Sequence, residues 1–150
     1  MQFRLIDDVL EQNSERIVAI KNVTIAEEYL ADHFPSFPVL PGVFMLEALV
    51  QAARTLLGEE GRRMVLGMVG PTRYGTFVKP GETMHIEVSI MKRADDGSVS
   101  FKGTGRVVSP GMAVEDADTC VTSRFTMRAM KIRRAGTVIE TVGSHSADDG

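Results

Sequence analysis

The chain has no tryptophan and a single cysteine, Cys120, in its 150 residues. A lone thiol excludes an intrachain disulfide and fits a reducing, cytosolic setting. There is no excess of positive charge either. The net charge is −3 and no basic stripe follows any predicted element, so nothing calls for nucleic acid as a partner. Long apolar runs are missing: Val43–Leu46 is far too short to span a bilayer. The opening MQFRLIDDVLEQ is interrupted by charge and does not read as a secretory signal. No internal repeat and no low-complexity tract is visible. What remains is an ordinary globular composition, 43% hydrophobic and 25% charged, long enough for one domain with a real core.

The positive content is concentrated in DHFPSFPVLPGVFMLEALVQ, residues 32–51. Histidine is scarce, and one of three, His33, opens this stretch; His85 falls on the polar face of a predicted strand and His145 in the tail. Pro35, Pro38 and Pro41 follow at three-residue spacing, and each pushes its preceding residue, Phe34, Phe37 or Leu40, into an extended conformation. Pro41 suits the first position of a helix, where its missing N–H costs nothing. From Val43 to Leu57 the pattern is apolar nearly all round, which predicts a helix buried by its neighbours and stopped at Gly58. The exceptions Glu47, Gln51 and Arg54 stand at i, i+4 and i+7 and share one stripe. A carboxylate on such a helix is costly unless paired, hydrogen-bonded or neutralised.

Around this helix the chain reads as strands. Arg16–Thr24 is rich in β-branched residues, while Phe3–Leu10 is ambiguous and Glu27–Asp32 suggests a turn or two of helix. Arg63–Gly70, Tyr74–Val78, Thr83–Lys92, Val99–Val108 and Met112–Arg128 are predicted strands, separated by turn signals at Gly70-Pro71, Pro80-Gly81, Asp95-Asp96-Gly97 and Ser109-Pro110-Gly111. Met84, Ile86, Val88 and Ile90 alternate with His85, Glu87 and Ser89, as expected for a sheet with one wetted face. The expectation is an α+β domain: one long helix and a mostly antiparallel sheet curled around it. One sheet covers about half of a helix, so a second copy of the chain is expected on the other side. Residues 1–128 would form the domain. Residues 129–150 would be an extension, partly strand or strap and partly disordered.

HFPSFPVLPGVFMLEALVQA is similar to the signature of the beta-hydroxyacyl-acyl-carrier-protein dehydratases of fatty acid biosynthesis. RIVAIKNVT and FVKPGETMHIEV also resemble the corresponding stretches of that family, so the resemblance covers roughly residues 4–127. Its most specific part is a histidine, Phe-Pro, two further prolines, Pro-Gly and then a glutamate 14 positions after the histidine (47 − 33), followed by Gln51. The chain departs from the family pattern at Asp32 and Ser36, where glycine is usual, and in the run VGPTRYGTFVKPG. The resemblance implies a hot-dog fold, a long central helix wrapped by a curved antiparallel sheet. It further implies homodimers, in many members trimers of dimers, with sites at the interface and acyl carrier protein as the partner that delivers substrate.

Dehydrating a β-hydroxyacyl thioester requires loss of an α-proton, stabilisation of an enolate-like oxygen and protonation of the departing hydroxyl. His33 is the candidate base. Glu47 is the candidate acid, because burial favours the neutral form of a carboxyl, and the resemblance sets it facing His33 of a second copy. Gly42 and Val43, at the helix N-terminus, are candidate oxyanion donors, and Gly42 leaves room for close approach to the backbone. Gln51, one turn on, would bind and orient the carboxylate; Arg54 is a more distant mate. Phe44, Met45 and Met68 are candidate tunnel-lining residues. No metal or redox cofactor is required by this chemistry. Lys131, Arg133 and Arg134 would either dock an acidic carrier or form a solvated basic tail. Two other readings stay open: a non-catalytic or specialised paralogue that binds acyl carrier protein in another lipid or polyketide pathway, and an acyl thioesterase. The protein is expected in the cytoplasm, with no membrane span.

Overall fold

The computed structural model describes residues 4–24, 39–134 and 137–140, the last two strands by backbone alone. The helical turns expected at Glu27–Asp32, and His33, Pro35 and Pro38, lie outside the described residues. Six strands form one antiparallel sheet: β1 (Asp8–Gln12), β2 (Arg16–Asn22), β3 (Met64–Tyr74), β4 (Thr83–Arg93), β5 (Val99–Val108) and β6 (Asp118–Ala129). Their spatial order is β1-β2-β4-β5-β6-β3. The main helix, α1 (Gly42–Leu57), is followed by one short turn, α2 (Glu59–Arg62). A separate antiparallel pair, β7 (Lys131–Arg134) and β8 (Thr137–Glu140), falls in the expected extension.

Period-two burial shapes the sheet. Met84, Ile86 and Val88 are fully buried on β4, as their alternation with polar residues predicts. On β5 the inward positions are Val99, Phe101, Gly103, Gly105 and Val107. Phe101 stacks on its cross-strand partner Phe125, ring centres 5.4 Å apart. Gly103 makes the hollow that receives the helix, while Gly105 leaves room for side chains of the neighbouring strands. A Cβ on Gly103 would stand 3.0 Å from Leu49 Cδ1, and one on Gly105 would stand 2.6 Å from Met84 Cε. Leu49 sits in this hollow, and Met45, Ala48, Val50, Ala52, Ala53, Leu56 and Leu57 complete the buried part of α1. Alanines at 48, 52 and 53 keep the helix slim where it meets the strands.

The sheet leaves one stripe of the helix open, as expected of a single sheet: Val43 is 65% exposed and Leu46, Glu47, Gln51 and Arg54 are half-buried. Two other expectations need correction. Gly70-Pro71 is not a turn. It lies inside β3, which runs unbroken from Met64 to Tyr74 along β6, with register shifts between Leu66 and Met68 and between Val69 and Thr72. Proline is tolerated there because β3 is an edge strand, where a missing N–H breaks no ladder bond on the free side. Residues 75–78 therefore form no strand of their own. Finally, the stretch from Met112 begins with a 3₁₀ turn, Val114–Asp116, before β6 starts at Asp118. The turn signals at Gly81, Gly97 and Gly111 hold: each has φ between 82° and 93°, a backbone that favours glycine.

Candidate functional site

The start of α1 is fixed from three directions. Leu40 is fully buried and its N–H donates to Val78 O at 2.8 Å, which ties the approach to the helix onto the segment before β4. That segment is bound to β6 in turn, through Gly75 N–H to Cys120 O (2.8 Å) and Thr76 N–H to Thr119 O (3.1 Å). The Tyr74 ring lies against Gly42, with Cε1 only 3.1 Å from where a Cβ would stand. So the close approach that Gly42 permits is taken up, on that side, by an aromatic ring that the sequence did not single out. Pro41 is the residue that caps the helix (φ −62°, ψ 147°), one place earlier than its predicted first-turn position. Its extended ψ turns its carbonyl to accept from both Phe44 N–H (3.0 Å) and Met45 N–H (3.2 Å).

This leaves the N–H groups of Gly42 and Val43 at the positive end of the helix. No side chain caps the terminus, no acidic residue stands in its first turn, and no acceptor for either N–H is found among the described residues. Two donors at a helix start, with no competing carboxylate, are chemically suited to an anionic oxygen.

One turn further on stands Glu47, on the open stripe. Its partner is Gln51, whose Nε2 donates to Glu47 Oε2 at 3.2 Å, while Gln51 Oε1 accepts from the Leu5 N–H at 2.9 Å. Arg54 turns elsewhere, with Nη2 donating to Met64 O at 3.4 Å. Among the described residues, the helix therefore answers its carboxylate with a neutral amide rather than an ion pair. The N-terminal segment enters this arrangement through a main-chain N–H, 46 residues from Gln51, which no local pattern could have announced.

The remaining candidates are scattered. Phe44 is half-buried against the core and Met45 lies within it. Met68 is 64% exposed on the β3 edge, with Val69 and Tyr74 also open nearby. His85 sits half-buried on β4, where burial holds its imidazole below the ordinary range against the pull of Glu87. Cys120 is buried and its thiol is pushed up to about 12 by desolvation. Among the described residues no three His, Cys, Asp or Glu side chains are grouped to hold a metal, and no helix is long and apolar enough to cross a membrane.

A six-stranded antiparallel sheet curled about one helix is the hot-dog arrangement, and solved structures agree. The chain superposes on a chain of the dehydratase heterocomplex ApeI:P from Xenorhabdus doucetiae with a TM-score of 0.60, at 15% identity over 84% of this chain and 98% of that one. A hypothetical thioesterase protein from Streptococcus pneumoniae matches at TM-score 0.59 and 9% identity, covering 82% of this chain and 84% of that one. Such likenesses establish the fold alone, and one fold serves several activities. Sequence comparison goes further. The FabA-like domain model matches residues 1–118. A protein named 3-hydroxyacyl-[acyl-carrier-protein] dehydratase FabZ from Solibacter usitatus is 37% identical over 121 residues, 77% of this chain and 73% of its own length. One of the same name from Clostridium perfringens is 42% identical over 110 residues, 70% of this chain and 78% of its own. The chain belongs to the FabA-like family.

Proposed function

We propose that the protein is a hydro-lyase that dehydrates β-hydroxyacyl groups carried on acyl carrier protein to trans-2-enoyl groups, in fatty acid biosynthesis. The observation that carries this reading is Glu47. It is a carboxyl on the open stripe of α1, held by Gln51 and one turn from two helix N–H groups that have no acceptor among the described residues. It sits in a chain whose relatives bear a dehydratase name. His33, at its fixed register to Glu47, takes the α-proton. The thioester oxygen gathers negative charge near Gly42 and Val43 N–H. Glu47 gives its proton to the β-hydroxyl, the C–O bond breaks and water leaves as the C=C bond forms.

This reading includes a second copy of the chain. β3 is an 11-residue sheet edge whose free side is paired by no strand among the described residues and which carries exposed apolar side chains, the kind of strand that proteins pair or cover. Pairing two β3 edges would extend the sheet across both copies and cover Met68. Phe44 and Met68 would then border the acyl chain, with Met45 behind them. We take residues 1–128 as the catalytic domain, 129–150 as an extension, and the cytoplasm as the place of action.

Crotonyl-carrier protein, incubated with the enzyme, should lose its enoyl absorbance as water adds. His33→Ala and Glu47→Gln should each slow this by about 10²- to 10⁴-fold, the usual worth of a positioned acid or base. Release of a free thiol instead would mark a thioesterase. Binding of carrier protein without either reaction would mark a paralogue that only binds.

A further inference from the structure

Gln51 stands between the Glu47 carboxylate and the Leu5 main chain, and the bonds it makes to these two are not independent. A backbone N–H can only donate, so the Gln51 atom that meets Leu5 must be the carbonyl oxygen. The other end of the amide, facing Glu47, must therefore be the NH2 group. Leu5 thus decides which way the amide points, a choice that side-chain chemistry alone leaves open.

The N–H that makes this choice is itself rigidly held. The Leu5 side chain is fully buried in the core. Two residues on, Asp7 N–H donates to Ile20 O at 2.8 Å, and the Asp7 carboxylate accepts from Asn22 N–H at 2.6 Å and lies 3.8 Å from Lys21 Nζ. The segment is therefore bolted to β2 at Asp7 and anchored in the core at Leu5. Its amide is placed before any substrate arrives.

We propose that the Leu5 main-chain N–H is a positioning group for the reaction, so that the N-terminal segment belongs to the active site. This rests on the reading of Glu47 as the proton donor. When Glu47 is protonated, an NH2 group donating to Oε2 leaves the acidic proton on Oε1, free to reach the substrate hydroxyl. Were the amide reversed, Gln51 would offer its carbonyl oxygen, which would accept that proton and turn it away from the substrate. The Leu5 N–H excludes the reversed orientation. Its contribution is to the direction of one proton, so it acts on kcat and leaves substrate affinity alone.

The test is to replace residue 5 by the α-hydroxy analogue of leucine, which exchanges the N–H for an oxygen and keeps the side chain. With crotonyl-carrier protein, kcat should fall roughly fivefold to tenfold, the effect of one hydrogen bond, with KM unchanged. A wild-type kcat in this ester variant would overturn the proposal. Should that variant fail to fold, the amide proton of Leu5 can be followed by NMR in the otherwise native protein. Gln51→Ala should strip its exchange protection and lower kcat without raising KM. Unchanged protection, or unchanged kcat, would sink the idea. If Glu47→Gln leaves the rate intact, the fault lies with the assignment of the acid and not with Leu5.

Discussion

The seat of the helix on the sheet is the feature most exposed to a single change, and Gly103 is where to make it. Its Cβ position lies 3.0 Å from Leu49 Cδ1, 3.3 Å from Cδ2 and 3.4 Å from Cβ. Carbon atoms rest at about 3.5–4.0 Å, so Gly103→Ala pushes Leu49 back by about half an ångström or slightly more. The added methyl gains about 0.8 kcal/mol by burial, and the lost backbone freedom of glycine gains about 0.4–1 kcal/mol. Overpacking costs about 1–3 kcal/mol. The alanine variant should come out between about 1 kcal/mol more stable and about 2 kcal/mol less stable than the parent. Gly103→Val is different, because its extra methyls meet the Leu49 Cβ, which cannot move without the helix; a loss of about 2–3 kcal/mol is expected. The helix would lift two residues from Glu47, so dehydration should fall as well. Urea denaturation measures the stabilities. The decisive result is a double-mutant cycle with Leu49→Ala, which alone should cost about 2–5 kcal/mol but much less beside Gly103→Val, since the cavity receives the valine. Additive losses, or a valine variant as stable as the parent, would refute the packing argument.

Two further outcomes follow from charge. Arg16 donates to Glu87 at 2.7 Å, and this bond holds the Glu87 carboxyl below its ordinary 4.5. The stability it contributes is complete above pH 4.5 and is lost as pH falls through the lower folded value. Both side chains are more than a third exposed, so solvent screens the pair and the effect is small. Urea midpoints at about pH 6 and about pH 3 should fall less for Glu87→Gln than for the parent; an equal fall would dismiss the pair. Cys120, with its thiol pushed up to about 12, should resist a thiol reagent in the folded protein and react promptly in urea. Rapid labelling under native conditions would show that β6 opens readily.

Much of this was legible in the residues themselves. The alternation on β4 and the turn glycines at 81, 97 and 111 are local properties, and the backbone obeys them. So is the helical run ending at Gly58. The misread turn has a physical cause. Gly70-Pro71 looks like a turn in any window of ten residues, and only its position on a sheet edge makes it tolerable inside a strand. The open Glu47 stripe, by contrast, is what one sheet against one helix leads to expect.

The stretch from His33 to Gln51 carried the family and the candidate acid, because spacing along a helix fixes which residues share a face. Glu47 and Gln51 had to be neighbours whatever surrounded them. What packed against them was decided only in three dimensions. The Tyr74 ring on Gly42 and the Leu5 N–H on Gln51 come from residues 32 and 46 positions away (74 − 42 and 51 − 5). Such contacts depend on how the sheet curls and where its first segment is tied, which no periodicity records. The sequence therefore determined the chemical groups and their order on the helix. The tertiary structure decided which way the amide beside the carboxylate points.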